Sequence, residues 1–432
     1  MNRFSKTGSR LRLALVCPPI SGHLNPALAL AATLRDRGHE VAFFGLIDGE
    51  RKVRAAGFEF VAIGAERFPV GTMPGWMRRQ GELTGRAAMR WILRCLRAEG
   101  LVMMEDLGPA LERWGAEAAM IDQVAHGAAA VAQHLRLAYV TLCHALPVHA
   151  DLSVPPFSTT LPHWRGRWGR LRNAVALASF APAGAGYFGP INQVRRRWGL
   201  GAATPWSGSD STLAILAQEP AAFEFPGRRL PSHFHLTGPW IRPSTRERTD
   251  FPYDRLDGRP LIYASMGTLQ NRLMRVFRTM AEAVDGLDAQ LVMALGSPDA
   301  DAGMEWPGNP VVVPFAPQTE LIGRSSMVLT HGGLNTALEA LSHGVPMVAL
   351  PVANDQPGVA ARIRHHGVGE WMSIRGLSAV SLRRMVRQVL ERPGYRAAAR
   401  RMQSAIAASS GLERAADLVE NSLQRRFDPC MA

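Results

Sequence analysis

FAPQTELIGRSSMVLTHGGLNTALEALSHGVPMVALPVANDQ, residues 315–356, holds a strand, a glycine turn, a helix and a second strand in close succession. Met327-Val328-Leu329 is the short apolar run of a buried strand. It ends in Thr330-His331-Gly332-Gly333 and passes directly into a helical pattern that begins near Asn335, with another apolar run at 347–350 beyond it. Strand, tight turn, helix and strand in that order form the repeating unit of a parallel sheet, and ligands of such sheets bind outside the strand C-termini. Gly332 and Gly333 let a bulky anion approach the backbone, and the free amides of a helix N-terminus favour phosphate oxygens. Tight strand-to-helix packing alone would also account for the glycine pair. His331, Asn335 and Thr336 add side-chain donors at the same place. Glu339 lies four residues beyond Asn335 on the same helix face, where a carboxylate can accept from a ribose hydroxyl pair. Asp355 and Gln356, after the next strand, would offer acceptors and donors to sugar hydroxyls. Phe315 and Gln318 follow the preceding strand, where an aromatic face can stack on a base.

The same rhythm extends in both directions. Toward the C-terminal half it predicts strands at 261–264, 290–294, 311–313 and 347–350, with helices over roughly 273–284 and 335–342. Residues 381–424 read as helical throughout. In the N-terminal half, residues 11–17 form a strand, 18–25 a turn rich in Pro, Gly and Ser, and 26–37 a helix with proline in its permitted first turn, closed by Gly38. A strand at 40–46 follows, then strand, helix and strand again at 118–121, 127–134 and 138–142. TGPWIRPSTRERTDFPYD, residues 237–254, has linker composition. The expected architecture is α/β: two Rossmann-like parallel-sheet domains, 1–236 and 255–432, facing a cleft. Between 153 and 205 the rhythm fails. Residues 173–194 carry no charge but hold few large aliphatics, so they predict a loop-rich apolar pocket wall and no membrane-spanning helix.

A length of 432 residues suits two domains, and 47% hydrophobic with 20% charged residues excludes a disordered or fibrous chain. The net charge of +13 is almost wholly arginine, since Lys6 and Lys52 are the only lysines. Such an excess invites nucleic acid, an anionic membrane face or a phosphorylated ligand, or forms a solvated basic surface. No zinc-finger spacing, aromatic RNA-binding pattern or basic zipper supports nucleic acid. The scattered Cys17, Cys95, Cys143 and Cys430 contain no close pair, which favours a reducing, cytoplasmic setting over a disulfide framework. The first residues read as a ragged lead into strand one and not as a signal peptide.

The 315–356 stretch resembles the signature box of the family 1 nucleotide-sugar glycosyltransferases, with Phe315, Gln318, His331, Gly332, Gly333, Asn335, Thr336, Glu339, Asp355 and Gln356 in register. The resemblance implies the GT-B fold, a donor held by the C-terminal domain, inversion at the anomeric carbon and no metal ion. Phe315 stands where plant members usually have tryptophan. Tyr263-Ala264-Ser265-Met266-Gly267-Thr268 resembles the family's strand-end motif, which implies that Gly267 and Thr268 adjoin the donor diphosphate. Ser21-Gly22-His23-Leu24-Asn25-Pro26 resembles the family's catalytic turn, making His23 the general base. A lone histidine in a turn is more often structural, but its place at the end of the first parallel strand favours the catalytic role.

A histidine with a pKa near 6.5 can accept a hydroxyl proton near neutrality, and it needs a carboxylate to hold its tautomer. Asp122, at the end of a strand, is that candidate; a helix-capping role is the plainer alternative and is compatible with it. The runs IYASMGTLQ, AMIDQ, HGGLNTALEAL and NDQPGVAARI are similar to those of bacterial carotenoid glucosyltransferases, the zeaxanthin glucosyltransferase group. This implies UDP-glucose as donor and the ring hydroxyl of a carotenoid as acceptor. Other apolar acceptors (a macrolide or polyketide, a sterol, a hydroxylated lipid) and a non-catalytic nucleotide-sugar-binding protein are the alternatives. A general base at His23 with Asp122 argues against the last. A polyene acceptor is met at a bilayer, where the Trp and Arg residues of 163–172 and 195–198 would suit an anionic surface; solvated basic loops are the alternative. Asp299-Ala300-Asp301 lies in a Gly/Pro-rich loop and is not expected to bind a metal.

Overall fold

The structure is a computed structural model and describes residues 10–204, 208–297 and 304–427. Asp299, Asp301 and Cys430 lie outside the described residues. Two wholly parallel sheets organise the chain. The first joins β1 (Arg12–Val16), β2 (Glu40–Gly45), β3 (Glu59–Ala62), β4 (Ala118–Asp122), β5 (Ala138–Cys143), β6 (Ile215–Ala217) and β7 (Phe234–Leu236) in the order β3-β2-β1-β4-β5-β6-β7. Its helices are α1 (Ser21–Asp36), α2 (Glu50–Ala55), α3 (Thr72–Glu82), α4 (Gly85–Trp114), α5 (His126–His134), α6 (Arg167–Ala178) and α7 (Ala181–Arg197). The second sheet joins β8 (Leu261–Ser265), β9 (Gln290–Ala294), β10 (Val311–Val313), β11 (Ser325–Thr330), β12 (Met347–Ala349) and β13 (Gly369–Trp371) in the order β10-β9-β8-β11-β12-β13. With it run α8 (Met274–Val284), α9 (Gln318–Gly323), α10 (Leu334–Ser342), α11 (Gln356–His365), α12 (Ala379–Glu391), α13 (Pro393–Ala407) and α14 (Gly411–Phe427).

Continuous apolar runs make these strands because both sheet faces are covered. Along β1, Leu13 and Leu15 enter one core while Ala14 and Val16 enter the core on the other face. Along β11, Val328 faces one side and Met327 and Leu329 the other. In each sheet the strand order reverses beside the first strand of the unit, between β1 and β4 and between β8 and β11. Such reversal points open a crevice at the strand C-termini. His23 and Asp122 follow β1 and end β4; Thr268 and His331 follow β8 and β11. A buried ion cluster joins the lobes at their junction, with Arg362 of α11 2.8 Å from Glu219 and 2.5 Å from Glu224.

Four expectations change. The turn expected over 18–25 is shorter, because α1 begins at Ser21 and includes Pro26. Residues 167–197 are helical, as α6 and α7, not loop. Alanine runs supply the propensity, and Pro182 sits at the permitted start of α7. The helical run from 381 is broken into α12, α13 and α14 around Pro393 and Gly411. The grouping of 255–432 as one unit also fails at its end. α14 returns to the first sheet, where Ala415, Ala416, Val419 and Leu423 join the core of β1 and α1. Burying Val419 and Leu423 contributes roughly 1.5–3 kcal/mol each. Arg37, bonded to Glu413, Asp417 and Glu420, fixes the register of that return.

Candidate active site

His23 lies in the first turn of α1, and its Nδ1 is 2.6 Å from Oδ2 of Asp122. The pair forms because β1 and β4 are neighbours, with Val16 opposite Ile121, so the residues just past each strand end meet. The other carboxylate oxygen of Asp122 accepts from Val124 N at 2.9 Å, so the local turn role and the pairing coexist. Burial opposes a charged imidazolium at His23, but the attraction and hydrogen bond of Asp122 outweigh it and raise its pKa above the ordinary value. Asp122 is also buried, yet His23 and His144 hold its carboxyl well below the usual carboxylate range.

His144 is the second partner of that carboxylate. It follows β5, the neighbour of β4, and its Nδ1 is 2.5 Å from the same Oδ2. The ring is fully buried and its Nε2 has no hydrogen-bond partner among the described residues. Burial lowers its pKa despite Asp122, so it is a neutral donor. Glu99 of α4 completes the electrostatics: burial, aided by the charge of Asp122, pushes its carboxyl up to about 7.

On the second sheet, His331 occupies a slot between two glycines. A Cβ on Gly267 would lie 2.6 Å from the ring, and one on Gly333 2.5 Å from its Nε2. Gly332 has a φ of +81° and Gly267 +69°, which a side chain would strain. Burial pushes the His331 pKa down to about 4, leaving a neutral imidazole beside the N-terminus of α10. Thr268 follows Gly267 and is half-buried, while Phe315 leaves its ring exposed, free to stack. Glu339 is buried with both oxygens engaged: Arg246 pairs with one, and Gln318 Nε2 at 3.0 Å and Thr319 Oγ1 at 3.2 Å donate to the other. Gln318 also reaches Thr336 Oγ1 at 3.5 Å and accepts from the Tyr263 hydroxyl at 3.2 Å. Gln356 spends its side-chain carbonyl on Val352 N and Ala353 N, so that oxygen shapes the loop. Asp355 reaches across the cleft, its Oδ2 accepting from Leu146 N at 3.2 Å.

Asn335 joins the two halves. Pro26 has no N–H to offer the Gly22 carbonyl four residues before it, and Asn335 Nδ2 donates to that carbonyl at 2.6 Å. Asn335 Oδ1 accepts from Gln218 Nε2 at 2.6 Å, and the same amide is 2.5 Å from the His144 carbonyl. The first turns of α1 and α10 therefore adjoin, each presenting its positive end to the cleft. All the expected residues belong to the two strand-end crevices and the loops beside them. His144, Gln218, Arg246 and Glu99 were not foreseen; each is an isolated polar residue whose partners lie far away in sequence.

His23, Asp122 and His144 are also the one group among the described residues whose donor atoms lie within 4.8 Å of one another, as a metal site would need. A metal held at about 2 Å by each ligand would keep those ligand atoms about 3 Å apart. The N···O separations of 2.5 and 2.6 Å to a single oxygen are hydrogen-bond distances.

Residues 21–101 match the glycosyltransferase family 28 N-terminal domain, and residues 278–420 match the erythromycin biosynthesis protein CIII-like C-terminal domain. Among curated proteins, the chain is 28% identical to a zeaxanthin glucosyltransferase of Pantoea ananas, covering 94% of this chain and 95% of that protein. It is 29% identical to the zeaxanthin glucosyltransferase of Pseudescherichia vulneris, over 95% and 97% of the two chains. It is 28% identical to 4'-demethylrebeccamycin synthase of Lentzea aerocolonigenes, over 95% and 99%. Among solved structures, the glycosyltransferase of kitacinnamycin superposes with a TM-score of 0.75 at 22% identity over 96% of this chain and 99% of that one. The calicheamicin glycosyltransferase CalG4 gives 0.68 at 20% identity, over 97% and 100%. Two facing parallel sheets and similarity along nearly the whole chain make this protein a glycosyltransferase with the GT-B fold, and its sequence is similar to those of the family 1 type.

Proposed function

We propose that the protein transfers glucose from UDP-glucose to the ring hydroxyl of a carotenoid such as zeaxanthin, with inversion and without a metal ion. The observation that carries the reading is the His23–Asp122 pair at 2.6 Å, set at the reversal point of one sheet and facing the His331–Thr336 helix start of the other. His23 accepts the acceptor's hydroxyl proton at Nε2, while Asp122 holds Nδ1 and stabilises the imidazolium that forms. The freed oxygen attacks the anomeric carbon in line with the departing UDP. Charge developing on the diphosphate is met by the amides of the α10 N-terminus, the neutral donor His331 and the Thr268 hydroxyl. Phe315 stacks on the base. Glu339 and Asp355 with Gln356 serve the ribose and sugar hydroxyls, Arg246 giving way at Glu339.

The carotenoid acceptor is supported by the likeness to two zeaxanthin glucosyltransferases along nearly the whole chain. A macrolide- or polyketide-type, sterol or hydroxylated-lipid acceptor is the second reading, and comparable identity to 4'-demethylrebeccamycin synthase favours an acceptor other than a carotenoid. The setting proposed is the cytoplasm, at an anionic membrane face from which an apolar acceptor is drawn. Incubating the purified protein with UDP-glucose, zeaxanthin-containing vesicles and a panel of other aglycones, with products identified by mass, tests the assignment. A glucosylated carotenoid supports it; transfer only to another aglycone overturns the acceptor, and transfer only from another nucleotide sugar overturns the donor.

A further inference from the structure

Ten large hydrophobic side chains are exposed among the described residues, and five of them form one patch. Trp164, Trp168, Leu171 and Val175 are 54%, 67%, 55% and 65% exposed, and Leu152 lies beside them, its carbonyl bonded to Asn173 of α6. Trp168, Leu171 and Val175 recur at the three- and four-residue spacing of one helix face. A helix of a globular domain turns such a face to the core, yet α6 does the reverse. Its buried residues are Gly169 and Asn173. A Cβ on Gly169 would lie 2.1 Å from the Trp164 carbonyl, so the glycine brings the helix down onto the preceding loop. Asn173 then anchors it through Nδ2 to the Leu152 carbonyl at 3.0 Å. The helix is thus held by a small and a polar residue while its apolar face points outward.

The charge around this face has one sign. Residues 152–209 contain no aspartate or glutamate but seven arginines, at 165, 167, 170, 172, 195, 196 and 197. Arg165, Arg167 and Arg170 are exposed at the rim of the apolar face. Arg172 lies over the Trp164 ring at 4.4 Å and Arg167 near the Trp168 ring at 5.4 Å, which pairs cation with indole as at a headgroup layer. No single helix among the described residues is long and apolar enough to cross a membrane. α7 follows α6 after a 49° bend and buries Tyr187, Phe188 and Ile191 in the protein, so α6 alone is available to lie against a surface. The same α7 reaches the segment that follows β4. Tyr187 Oη is 2.9 Å from Nδ1 of His126, four residues beyond Asp122.

We propose that α6 with Trp164 is the docking surface of this protein for an anionic phospholipid bilayer, lying in the interface plane with its indoles at headgroup depth and its arginines on lipid phosphates. An apolar acceptor dissolved in that bilayer then meets the protein where the bent α6–α7 pair leads to the loop that follows Asp122. The proposal deepens the membrane partner named above, but its test reads lipid binding alone and does not depend on the acceptor or on transfer.

The full-length protein is sedimented with vesicles of phosphatidylcholine alone and of phosphatidylcholine mixed with phosphatidylglycerol, at low and high salt. Binding to the mixed vesicles that weakens with salt is expected. The triple variant Trp164→Ser, Trp168→Ser, Leu171→Ser should lose binding by about tenfold or more, and Arg165→Gln, Arg167→Gln, Arg170→Gln should remove the preference for anionic lipid. Val70→Ser with Val380→Ser, elsewhere on the surface, should bind as the parent does. Calorimetric UDP binding and an unchanged melting temperature would certify that the α6 variants are folded. No vesicle binding by the parent, or equal binding by the α6 variants, overturns the proposal. So does light scattering that shows a parent dimer turned monomeric by Trp168→Ser, which would make this face a contact between copies of the chain.

Discussion

Asn335 donates from Nδ2 to the carbonyl of Gly22 at 2.6 Å, filling a helical bond that Pro26 leaves empty. The donor-side helix thereby grips the backbone one residue before the proposed base. Asn335→Ala would strip this exposed acceptor and the Gln218 amide, which keeps the His144 carbonyl, of one partner each, at about 0.5–1.5 kcal/mol per hydrogen bond lost. Steady-state kinetics should show kcat/KM reduced by roughly tenfold to a hundredfold. An unchanged value would mean that the contact between the lobes is incidental to transfer.

His23→Ala should lower kcat by about 10²–10⁴-fold, the ordinary scale of general-base catalysis, while calorimetry with UDP finds near-parental affinity. Asp122→Asn should follow it in kcat, because an amide can favour the wrong imidazole tautomer. Near-normal transfer by the His23 variant would refute the assignment of the base.

The pH profile carries the sign of the His23 shift. A base acts when neutral, and Asp122 raises the pKa of His23 above 6.5, so kcat/KM should fall as pH drops through a value higher than that of free histidine. His144 donates to the same Asp122 oxygen and draws off part of its negative charge. His144→Phe should leave Asp122 to His23 alone and move the acid limb to still higher pH. A limb that stays in place would reduce His144 to packing.

Acid should destabilise the fold in a defined window. His126 and His331 are held neutral by burial, with pKa values pushed down from 6.5 to about 4. Between those values the unfolded chain binds more protons than the folded one, so each histidine should reduce stability by about 1.4 kcal/mol per pH unit as pH falls. Denaturant titrations at a series of pH values would show it. The loss should shrink in His126→Gln, and an unchanged slope would contradict the burial of that ring as the cause.

Chelation separates protons from metal at His23, Asp122 and His144. Transfer should be unchanged by EDTA, and added zinc should inhibit by competing for the two Nδ1 atoms and the Asp122 carboxylate. Loss of activity on chelation, restored by a divalent ion, would replace the metal-free reading.

The strand ends that carry the 315–356 stretch, Gly267-Thr268, His23 and Asp122 were legible in the amino-acid order because an apolar run stops there and gives way to turn or helix within a few residues, while the roles of these residues followed from the resemblance of their motifs to those of family 1 glycosyltransferases. Period and composition over such short spans determine where a strand ends, and strand ends are where parallel sheets place their chemistry. The helices α6 and α7 were missed because their prolines and glycines mask an alanine-based propensity. The return of α14 to the first sheet was missed because its apolar stripe does not name the surface that will cover it. His144 beside His23, Gln218 between His144 and Asn335, and Arg246 on Glu339 were beyond any local pattern. His144 reaches the base through Asp122, which lies 99 residues from His23, and Gln218 lies 117 residues from Asn335. Those partners depend on β4 lying beside β1, with β5 and β6 following, and on the second sheet facing the first. Strand order is settled by which covered surfaces bury most together, so these partners meet only once both sheets have assembled.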